Sequence, residues 1–242
     1  KDKNIDPDSN PAEYFATMKY PEDQWSRITS SKGLGEIADA SGYDEGFGYN
    51  LTFWEKEGYI FADVNFVYPN SPAAKAGLKR GDLITHMDGE RITTENYTNL
   101  YYASQLSLGL SNDEVSEPYE TKKLTAQTYT IDPVLDYGLI PLEHLTIGYM
   151  IYTDFVFRGN ASLAQLNHVF QTLKAANIDE FILDLRYNQG GYIFAVKQLC
   201  SLLAPEEVVE NEELLIHKKW NKAYQERYAN DPDRLEEHFD NT

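Results

Sequence analysis

The middle of the chain has the hydrophobic pattern of short strands. Residues 49–54 and 59–67 are rich in aromatic and β-branched side chains, which predicts two strands. A proline at its start and a glycine at its end predict a short helix over residues 72–77. Residues 82–89 are predicted to form a strand that ends in the turn Asp88-Gly89. These elements together predict a β-rich region.

Further elements are predicted on both sides of these strands. Residues 95–106 fit a helix, residues 107–120 are polar and predict a loop, and residues 123–131 are rich in Thr and Tyr, which predicts another strand. Ahead of them, aromatic and aliphatic side chains over residues 11–31 predict one or two short helices. The glycines and small residues of 32–44 predict a linker or a loop.

The pattern changes to alternating strands and helices in the second half. Strands are predicted over residues 145–156 and 181–185, and helices over residues 160–176 and 193–203. The first helix repeats apolar side chains at helical spacing: Leu163, Leu166, Val169, Phe170 and Leu173. Strand–helix–strand–helix order favours an α/β layer with parallel strand pairing. After residue 205 the chain is highly charged, and a helix start is predicted near residue 231.

The fold class is therefore predicted to be α/β and mixed, in three parts. We expect an N-terminal helical segment over residues 1–41, a β-rich domain over 42–133 and a partial α/β core over 140–242. Hydrophobic residues make up 42% of the 242 residues, which is enough for a packed core.

Charge and composition exclude several classes of function. The net charge of −18, from 39 acidic and 21 basic residues, argues against binding to nucleic acid, because phosphate contacts need a basic surface. No stretch approaches the roughly 20 apolar residues of a transmembrane helix. The five histidines lack metal-ligand spacing, so no metal or other cofactor is expected. The single cysteine, Cys200, is interpreted as a core residue rather than a catalytic thiol.

The segment that suggests chemistry begins at Phe181. An apolar strand runs into the polar residues 186–189 and then into Gly190-Gly191. Such strand–turn–helix junctions direct free backbone N–H groups toward an anion, which here is a phosphate, a carboxylate or the oxyanion of an acyl transfer. The alternative is that the glycines only permit tight packing of strand against helix.

A second pattern supplies a resemblance. The loop Gly46-Phe-Gly-Tyr49, the run Ser71-Pro-Ala-Ala-Lys-Ala-Gly-Leu-Lys-Arg-Gly-Asp-Leu-Ile84 and the turn Asp88-Gly89 resemble a PDZ domain of the kind found in bacterial proteases. The resemblance implies that the backbone N–H groups of Gly46, Phe47, Gly48 and Tyr49 receive a peptide's terminal carboxylate. The peptide would then add to the strand that starts at Leu51, with the predicted helix 95–106 as the far wall of the groove. Phe47 and Tyr49 also fit plain core packing, so a PDZ-like scaffold that binds no peptide is the alternative.

The Gly-Gly segment belongs to a second resemblance. Ile147-Gly-Tyr-Met-Ile-Tyr152, followed by Leu183-Asp-Leu-Arg-Tyr-Asn-Gln-Gly-Gly191, resembles the core of the S41 peptidases, the C-terminal processing or tail-specific proteases. Gln189 stands where the commonest family version has proline. The two resemblances together cover about residues 46–205, and their order is that of the family.

The family resemblance implies a fold and an activity. It implies ClpP- or crotonase-like layering and proteolysis by a serine nucleophile with a lysine general base. The oxyanion-hole N–H would come from Gly190 or Gly191, with Asp184 and Arg186 bracing the turn. The substrate would be an unfolded or extended polypeptide with a free C-terminus. The expected location is the bacterial cell envelope, periplasmic or lipid-anchored, and the start at Lys1 rather than Met is consistent with removal of an export signal.

The nucleophile and the base of such a peptidase are not found in the sequence. The family's Ser-Ala-Ser-like segment is absent; Ser201 lies within a predicted helix, Ser162 suits a helix cap, and the lysines of residues 218–222 lie in a charged stretch. We therefore expect a front part of a longer protein, inactive alone. The rival hypothesis is a catalytically silent PDZ protein that binds or senses peptides. A nucleotide-binding role is weaker, because the glycine-rich nucleotide motifs are absent.

Overall fold

The computed structural model describes residues 10–20, 43–156 and 160–240, with side chains from residue 163 onward in the last range. The chain divides into two compact units, residues 1–38 and 39–242. In the first unit, α1 (Pro11–Met18) starts after Asn10, whose side chain accepts a hydrogen bond from the Ala12 N–H at 2.9 Å. This confirms a helix in the predicted 11–31 segment. The rest of that segment beyond residue 20, and the predicted linker up to residue 42, lie outside the described residues.

An antiparallel sheet forms most of a β-rich region, residues 43–130. Its strand order is β2-β3-β4-β6-β7, with β5 paired to β4, and a separate pair joins β1 and β8. The strands are β1 (Tyr43–Gly46), β2 (Tyr49–Lys56), β3 (Tyr59–Val67), β4 (Leu83–Met87), β5 (Glu90–Arg91), β6 (Gln105–Ser111), β7 (Glu120–Thr125) and β8 (Gln127–Thr130), and the helices are α2 (Pro72–Lys75) and α3 (Asn99–Tyr102). Strand β2 is therefore an edge strand of the larger sheet.

The prediction for residues 95–120 is wrong in two respects. The helix is the single turn α3, and the strand β6 replaces the end of the predicted helix and the start of the predicted loop. Leu106, Leu108 and Leu110 are all buried, with small residues between them, which is the period of a strand. The predicted strand 123–131 is two strands, β7 and β8, because the chain changes partners at Ala126, whose N–H donates to the Ser104 carbonyl at 2.8 Å.

A three-stranded sheet covered by two helices forms the α/β region, residues 134–240. Its order is β11-β10-β9, with β10 parallel to β11 and antiparallel to β9. This confirms the predicted parallel pair, whereas β9 was not predicted. The elements are β9 (Val134–Pro141), β10 (Thr146–Tyr152), α4 (Asn160–Ala175), β11 (Glu180–Asp184), α5 (Ile193–Leu203), α6 (Glu206–Glu210), β12 (Leu214–His217), α7 (Lys222–Arg227), α8 (Pro232–Leu235) and β13 (Glu236–His238).

Each region has its own core, and a third cluster lies where the regions meet. In the α/β region, Met150 of β10, Leu166 and Leu173 of α4 and Leu199 of α5 pack together and are almost fully buried. The third cluster contains Phe66, Tyr68, Tyr129, Ile131 and Val156, with Leu135 and Tyr187 packed against it. The predicted domain boundaries left the residues between 133 and 140 unassigned, and strand β9 lies there. The boundaries themselves stay a prediction.

The mixed α/β class predicted from the sequence is confirmed. Strands and helices alternate in the second half of the chain, and strands dominate the first half. None of the helices that the structure describes is both long enough and apolar enough to cross a bilayer.

Candidate functional site

The loop before β2 presents backbone groups in two directions. Gly46 ends β1 and Tyr49 begins β2. The carbonyl oxygens of Phe47 and Gly48 point inward, where they accept hydrogen bonds from the N–H of Ala73 at 2.8 Å and of Tyr68 at 2.9 Å. Neither the Phe47 nor the Gly48 N–H donates to any residue within the described ranges. These two N–H groups, on residues that are both buried, are therefore donors without a partner among the described residues.

Gly48 must be glycine for this loop to close. Its φ is +77°, and a Cβ atom placed there would lie 2.2 Å from the Cβ of Ser71. Ser71 itself begins α2, where its side chain accepts a hydrogen bond from the Ala74 N–H at 3.2 Å. The Ser-Pro-Ala run therefore fixes the loop by packing directly beneath its glycine.

The side chains of the predicted binding residues belong to the core. Phe47, Tyr49 and Leu51 are all buried, and the Phe47 ring stacks on that of Tyr49 at 5.7 Å between centroids. The Tyr49 hydroxyl donates to the Leu100 carbonyl of α3, and burial raises the pKa of this tyrosine. The side chains of Phe47 and Tyr49 therefore pack in the core, as one of the two alternatives from the sequence proposed. Recognition of a ligand here would use the backbone.

The register of β2 leaves its outer edge open. Lys56 pairs with Tyr59 across the two-residue turn Glu57-Gly58, both of positive φ. In an antiparallel hairpin of this kind, hydrogen-bonded and non-bonded pairs alternate, so the N–H and C=O of Leu51 and Phe53 point away from β3. We call this row of backbone groups the free edge.

One group of the free edge already has a partner. The hydroxyl of Tyr101, in α3, accepts a hydrogen bond from the Leu51 N–H at 3.3 Å. The Tyr101 side chain also packs edge-on against Tyr49 and Phe53, and its burial raises the pKa of this tyrosine. Although α3 is much shorter than the predicted helix, it therefore stands beside the free edge as the predicted groove wall would.

The Gly-Gly turn, residues 186–191, is held by hydrogen bonds around Asn188. The Asn188 side chain accepts from the Gly190 N–H at 2.8 Å and donates to the Tyr152 carbonyl at 3.1 Å. The Phe155 N–H donates to the Gly190 carbonyl at 2.9 Å, and the Tyr192 N–H donates to the Phe155 carbonyl at 2.7 Å. The turn is thereby fixed to the segment that follows β10.

These bonds distinguish the two glycines. The N–H of Gly190 is occupied by Asn188, whereas the N–H of Gly191 has no hydrogen-bond partner among the described residues. Gly191 has φ +140°, and a Cβ atom there would lie 2.2 Å from the Phe155 carbonyl oxygen. Gly191 is exposed, so its N–H is the one of the two that remains open to a ligand.

An ion pair lies at the base of the same turn. The Arg186 guanidinium contacts the Asp184 carboxylate through Nε at 3.0 Å and Nη2 at 2.6 Å, and the Arg186 N–H donates to the same carboxylate at 3.0 Å. The hydrogen bonds from Arg186 lower the pKa of Asp184. Both residues therefore act on the geometry of the turn.

Tyr187 connects the Gly-Gly turn to the β-rich region. Its hydroxyl accepts a hydrogen bond from Arg80 Nη1 at 3.0 Å, the Arg80 guanidinium lies 5.6 Å from the centre of its ring, and the Phe66 ring lies 5.7 Å away. Sequence reasoning missed this residue. An aromatic side chain between Arg186 and Asn188, in an otherwise polar turn, was the one sign that this position packs against another element.

A polar pocket of about 260 Å³ separates the free edge from the Gly-Gly turn. We call it the edge pocket. Residues of β2 and β3 line one side, residues of the turn line the other, and Tyr101 closes one end; the complete lining is Asn50, Leu51, Thr52, Asn65, Tyr101, Arg186, Tyr187, Asn188 and Gln189. The predicted peptide-binding strand and the predicted oxyanion turn thus face one common space.

No serine–lysine pair suited to catalysis occurs in the part of the chain that the structure describes. Ser201 and Lys197 share α5, but the Lys197 ammonium pairs with the Asp240 carboxylate and the Ser201 hydroxyl accepts from the Asp240 N–H at 3.2 Å. Lys218 pairs with Glu237. Neither of these lysines contacts a serine hydroxyl. The side chain of Ser162 lies outside the described residues.

Cys200 is a partly buried free thiol on α5, and burial raises its pKa. A nucleophilic cysteine requires a lowered pKa. The interpretation of Cys200 as a packing residue therefore agrees with its surroundings.

Two family models match the chain. Residues 64–104 match the PDZ domain, and residues 146–234 match peptidase family S41. The second match spans β10, the Gly-Gly turn and both covering helices. The two matches follow one another in the order that the sequence motifs indicated.

Individual relatives agree with these matches. The chain is 36% identical over 135 residues to carboxyl-terminal-processing peptidase 2, chloroplastic, of Arabidopsis thaliana, which covers 51% of this chain and 25% of the relative. It is 29% identical over 155 residues to a carboxyl-terminal-processing protease of Picosynechococcus sp., which covers 61% of this chain and 36% of the relative. The chain thus spans about a third or less of the length of these relatives.

A solved structure shares the fold. The crystal structure of a putative S41 protease from Bacteroides fragilis NCTC 9343 superposes with a TM-score of 0.65, covering 98% of this chain and 60% of that chain at 22% identity. Both regions of this chain therefore occur together in a known arrangement.

Proposed function

Since the chain carries a PDZ segment followed by a segment of peptidase family S41, we propose that it is part of a serine endopeptidase of the carboxyl-terminal-processing type. The PDZ segment would bind the C-terminus of an extended polypeptide along the free edge. Cleavage would occur upstream of that end, beside the Gly-Gly turn. Metals and other cofactors have no role in this proposal.

The observation that carries the proposal is the free N–H of Gly191. It lies in an exposed turn that Asn188 and the Asp184–Arg186 pair hold in place. A preorganised donor of this kind stabilises the negative charge that develops on a peptide carbonyl oxygen, and removal of one such donor typically slows turnover about 10²–10³-fold. The geometry favours Gly191 over Gly190 for this role, because the Gly190 N–H already donates to Asn188.

The nucleophile and the general base would come from outside this chain. We propose that the 242 residues alone do not hydrolyse peptides, since the described residues bring no free lysine to a serine. The test is to express this chain and any longer product of the same reading frame, and to assay both on unstructured peptides. Turnover by the longer product that a serine substitution abolishes supports the proposal. If the 242-residue chain itself hydrolyses peptides and a serine substitution within it abolishes this turnover, the proposal that the chain is inactive alone is contradicted.

Capture of a peptide C-terminus would use backbone groups only. The N–H groups of Phe47 and Gly48 would bind the terminal carboxylate, and the peptide would extend antiparallel along β2 from there. The test is to titrate the chain with one unstructured peptide in its free-acid and amidated forms. Tighter binding of the free acid supports capture of the carboxylate, whereas equal affinity of the two forms contradicts it.

The second candidate function is a silent peptide-binding or sensor module. The observation that favours it is the pairing of Lys197 and Lys218 with carboxylates, since neither of these lysines contacts a serine. A stop codon directly after Thr242 in the gene would support this candidate. A Ser-Ala-Ser segment followed by a lysine in the same frame would support the peptidase.

We also propose that the protein acts outside the cytoplasm, in the cell envelope. The support is its similarity to the carboxyl-terminal-processing protease of Picosynechococcus sp.. Cell fractionation with an antibody to this chain tests the location. Recovery of the protein in the cytoplasmic fraction alone would contradict it.

A further inference from the structure

The edge pocket has two walls with different origins. Asn50, Thr52 and Asn65, from β2 and β3, form the wall beside the free edge, and Arg186 and Gln189, from the Gly-Gly turn, form the opposite wall. If a peptide pairs with β2, some of its side chains would enter this pocket, because β2 forms part of the pocket wall. What it accepts depends on which peptide side chains point into it and on which groups line it.

Strand geometry determines which peptide side chains reach the pocket. A peptide that pairs with the free edge exchanges backbone hydrogen bonds with Leu51, and the peptide residue opposite Leu51 points its side chain to the same face as Leu51, toward α3. The two peptide residues on either side of it point to the opposite face. That is the face of Asn50 and Thr52, and therefore the face of the edge pocket.

The lining of the pocket includes hydrogen-bond donors that have no partner among the described residues. The Asn65 amide donates to the Asn50 side-chain oxygen at 2.8 Å and to the Thr52 hydroxyl at 2.9 Å, so the Asn50 NH₂ group remains for a ligand. Among the described lining residues Arg186 carries the charge. Its Nε and Nη2 contact Asp184, whereas its Nη1 makes no hydrogen bond to a described residue.

An arginine forms its strongest side-chain hydrogen bonds with a carboxylate, because both groups are charged. The Asn50 NH₂ group and Gln189 can each donate to the second carboxylate oxygen or to its other lone pairs. A lysine side chain would instead bring an ammonium toward the Arg186 guanidinium, and like charges at close range disfavour binding. These groups would therefore suit a carboxylate side chain better than an ammonium group.

We propose that the edge pocket is a specificity subsite for an acidic side chain of the substrate, Asp or Glu, adjacent to the substrate residue that pairs with Leu51. The proposal rests on strand addition at the free edge, as described under the proposed function. It adds a recognition element that the terminal carboxylate does not supply. Because Arg186 and Gln189 belong to the Gly-Gly turn, the same contact would also hold the bound peptide against the turn.

The test uses unstructured peptides with free C-termini in which Glu, Gln or Lys occupies each of the last five positions in turn. Binding to the complete 242-residue chain is measured by fluorescence anisotropy. At one or both of the two positions that face the pocket, Glu should bind about tenfold more tightly than Lys, a ratio typical of one charge-assisted contact. At the intervening position, which faces α3, the ratio should be markedly smaller.

The substitution Asn50→Asp isolates the pocket from the rest of the groove. It keeps the oxygen that accepts from Asn65 and replaces the NH₂ donor by a negative charge. The preference for Glu should fall at least fivefold and Lys peptides should bind more tightly than before. Glu55→Gln, on the same strand but outside the pocket, is the matched control and should leave the Glu-to-Lys ratio at the pocket-facing positions unchanged.

The outcomes separate this proposal from capture of the C-terminus. If free-acid peptides bind more tightly than amidated ones but the Glu-to-Lys ratio is equal at all positions, the subsite is refuted and carboxylate capture stands. The subsite is also refuted if Asn50→Asp and Glu55→Gln change the ratio alike. If no peptide binds in either form, strand addition at the free edge is wrong and the subsite falls with it.

Discussion

The two glycines of the Gly-Gly turn offer a matched pair of substitutions. Gly190 and Gly191 have φ values of +104° and +140°, so alanine is strained at both. A Cβ atom at Gly190 meets nothing within 4 Å, whereas one at Gly191 lies 2.2 Å from the Phe155 carbonyl oxygen and 2.7 Å from its carbon. The two variants therefore share the backbone strain and differ in the steric clash.

The extra cost at Gly191 follows from the bonds that Phe155 makes. Relief of the clash must move the Phe155 carbonyl, which accepts from the Tyr192 N–H, and the neighbouring Phe155 N–H, which donates to the Gly190 carbonyl. Each backbone hydrogen bond contributes about 0.5–1.5 kcal/mol, so their loss costs about 2 kcal/mol. The shared strain contributes about 1–3 kcal/mol to both variants and cancels in the difference.

Thermal unfolding of the two variants measures that difference. For a chain of this length, about 1 kcal/mol corresponds to about 2–4 °C in Tm, so Gly191→Ala should unfold about 4–8 °C below Gly190→Ala. Circular dichroism at 222 nm monitors the helices that follow the turn. Equal Tm values for the two variants, or a lower value for Gly190→Ala, would refute the proposed packing of Gly191 against Phe155.

Three further predictions concern single side chains. Tyr101→Phe removes the hydroxyl that accepts from the Leu51 N–H, so a free-acid peptide should bind about 2- to 10-fold more tightly, as expected for the loss of one competing hydrogen bond; unchanged or weaker binding in a titration would contradict this. Arg186 lowers the pKa of Asp184, and a lowered carboxyl pKa gives stability that is present above the unfolded-state value of about 4 and is lost as the pH falls through the folded value. The difference in urea midpoint between the wild-type chain and Arg186→Gln should therefore shrink from pH 7 to pH 3, and a difference that is constant over this range would argue against the ion pair. Burial raises the pKa of Cys200, so the rate of its alkylation should reach half its maximum at a higher pH than that of a free cysteine peptide; an equal or lower midpoint would show an activated thiol.

The sequence predicted those parts of the fold that local pattern determines. The β2–β3 hairpin, the Asp88-Gly89 turn, the helices over 160–175 and 193–203 and the parallel pair of strands in the α/β region are present where the pattern indicated them. Residues 105–106 were assigned to the end of a helix and residues 107–111 to a polar loop, because Ser107, Gly109 and Ser111 separate the leucines and obscure their period-two pattern. Only its pairing with β4 and β7 settles the choice.

Parts of the candidate site could not be predicted from the sequence, because they depend on contacts between residues that are far apart in the chain. The two glycine motifs were identified from their residues, but which glycine keeps a free N–H depends on the Asn188 side chain. The contact of Tyr187 with Arg80 joins residues 107 positions apart in the chain, and the edge pocket brings β2 and β3 against residues 186–189. No local pattern encodes such a distance. Whether the site acts as proposed stays a prediction.

The position of Tyr187 has a consequence for protein engineering. Tyr187 lies in the turn that carries Gly191, yet it packs on Phe66 and Arg80 of the β-rich region. A chimaera that exchanges the β-rich region for that of a homologue would therefore replace two of the three residues in this contact and keep the third. Such an exchange should succeed only when residues 66, 80 and 187 are transplanted together. The functional border for recombination thus passes through the turn itself, and not only through the predicted domain boundary at residue 133.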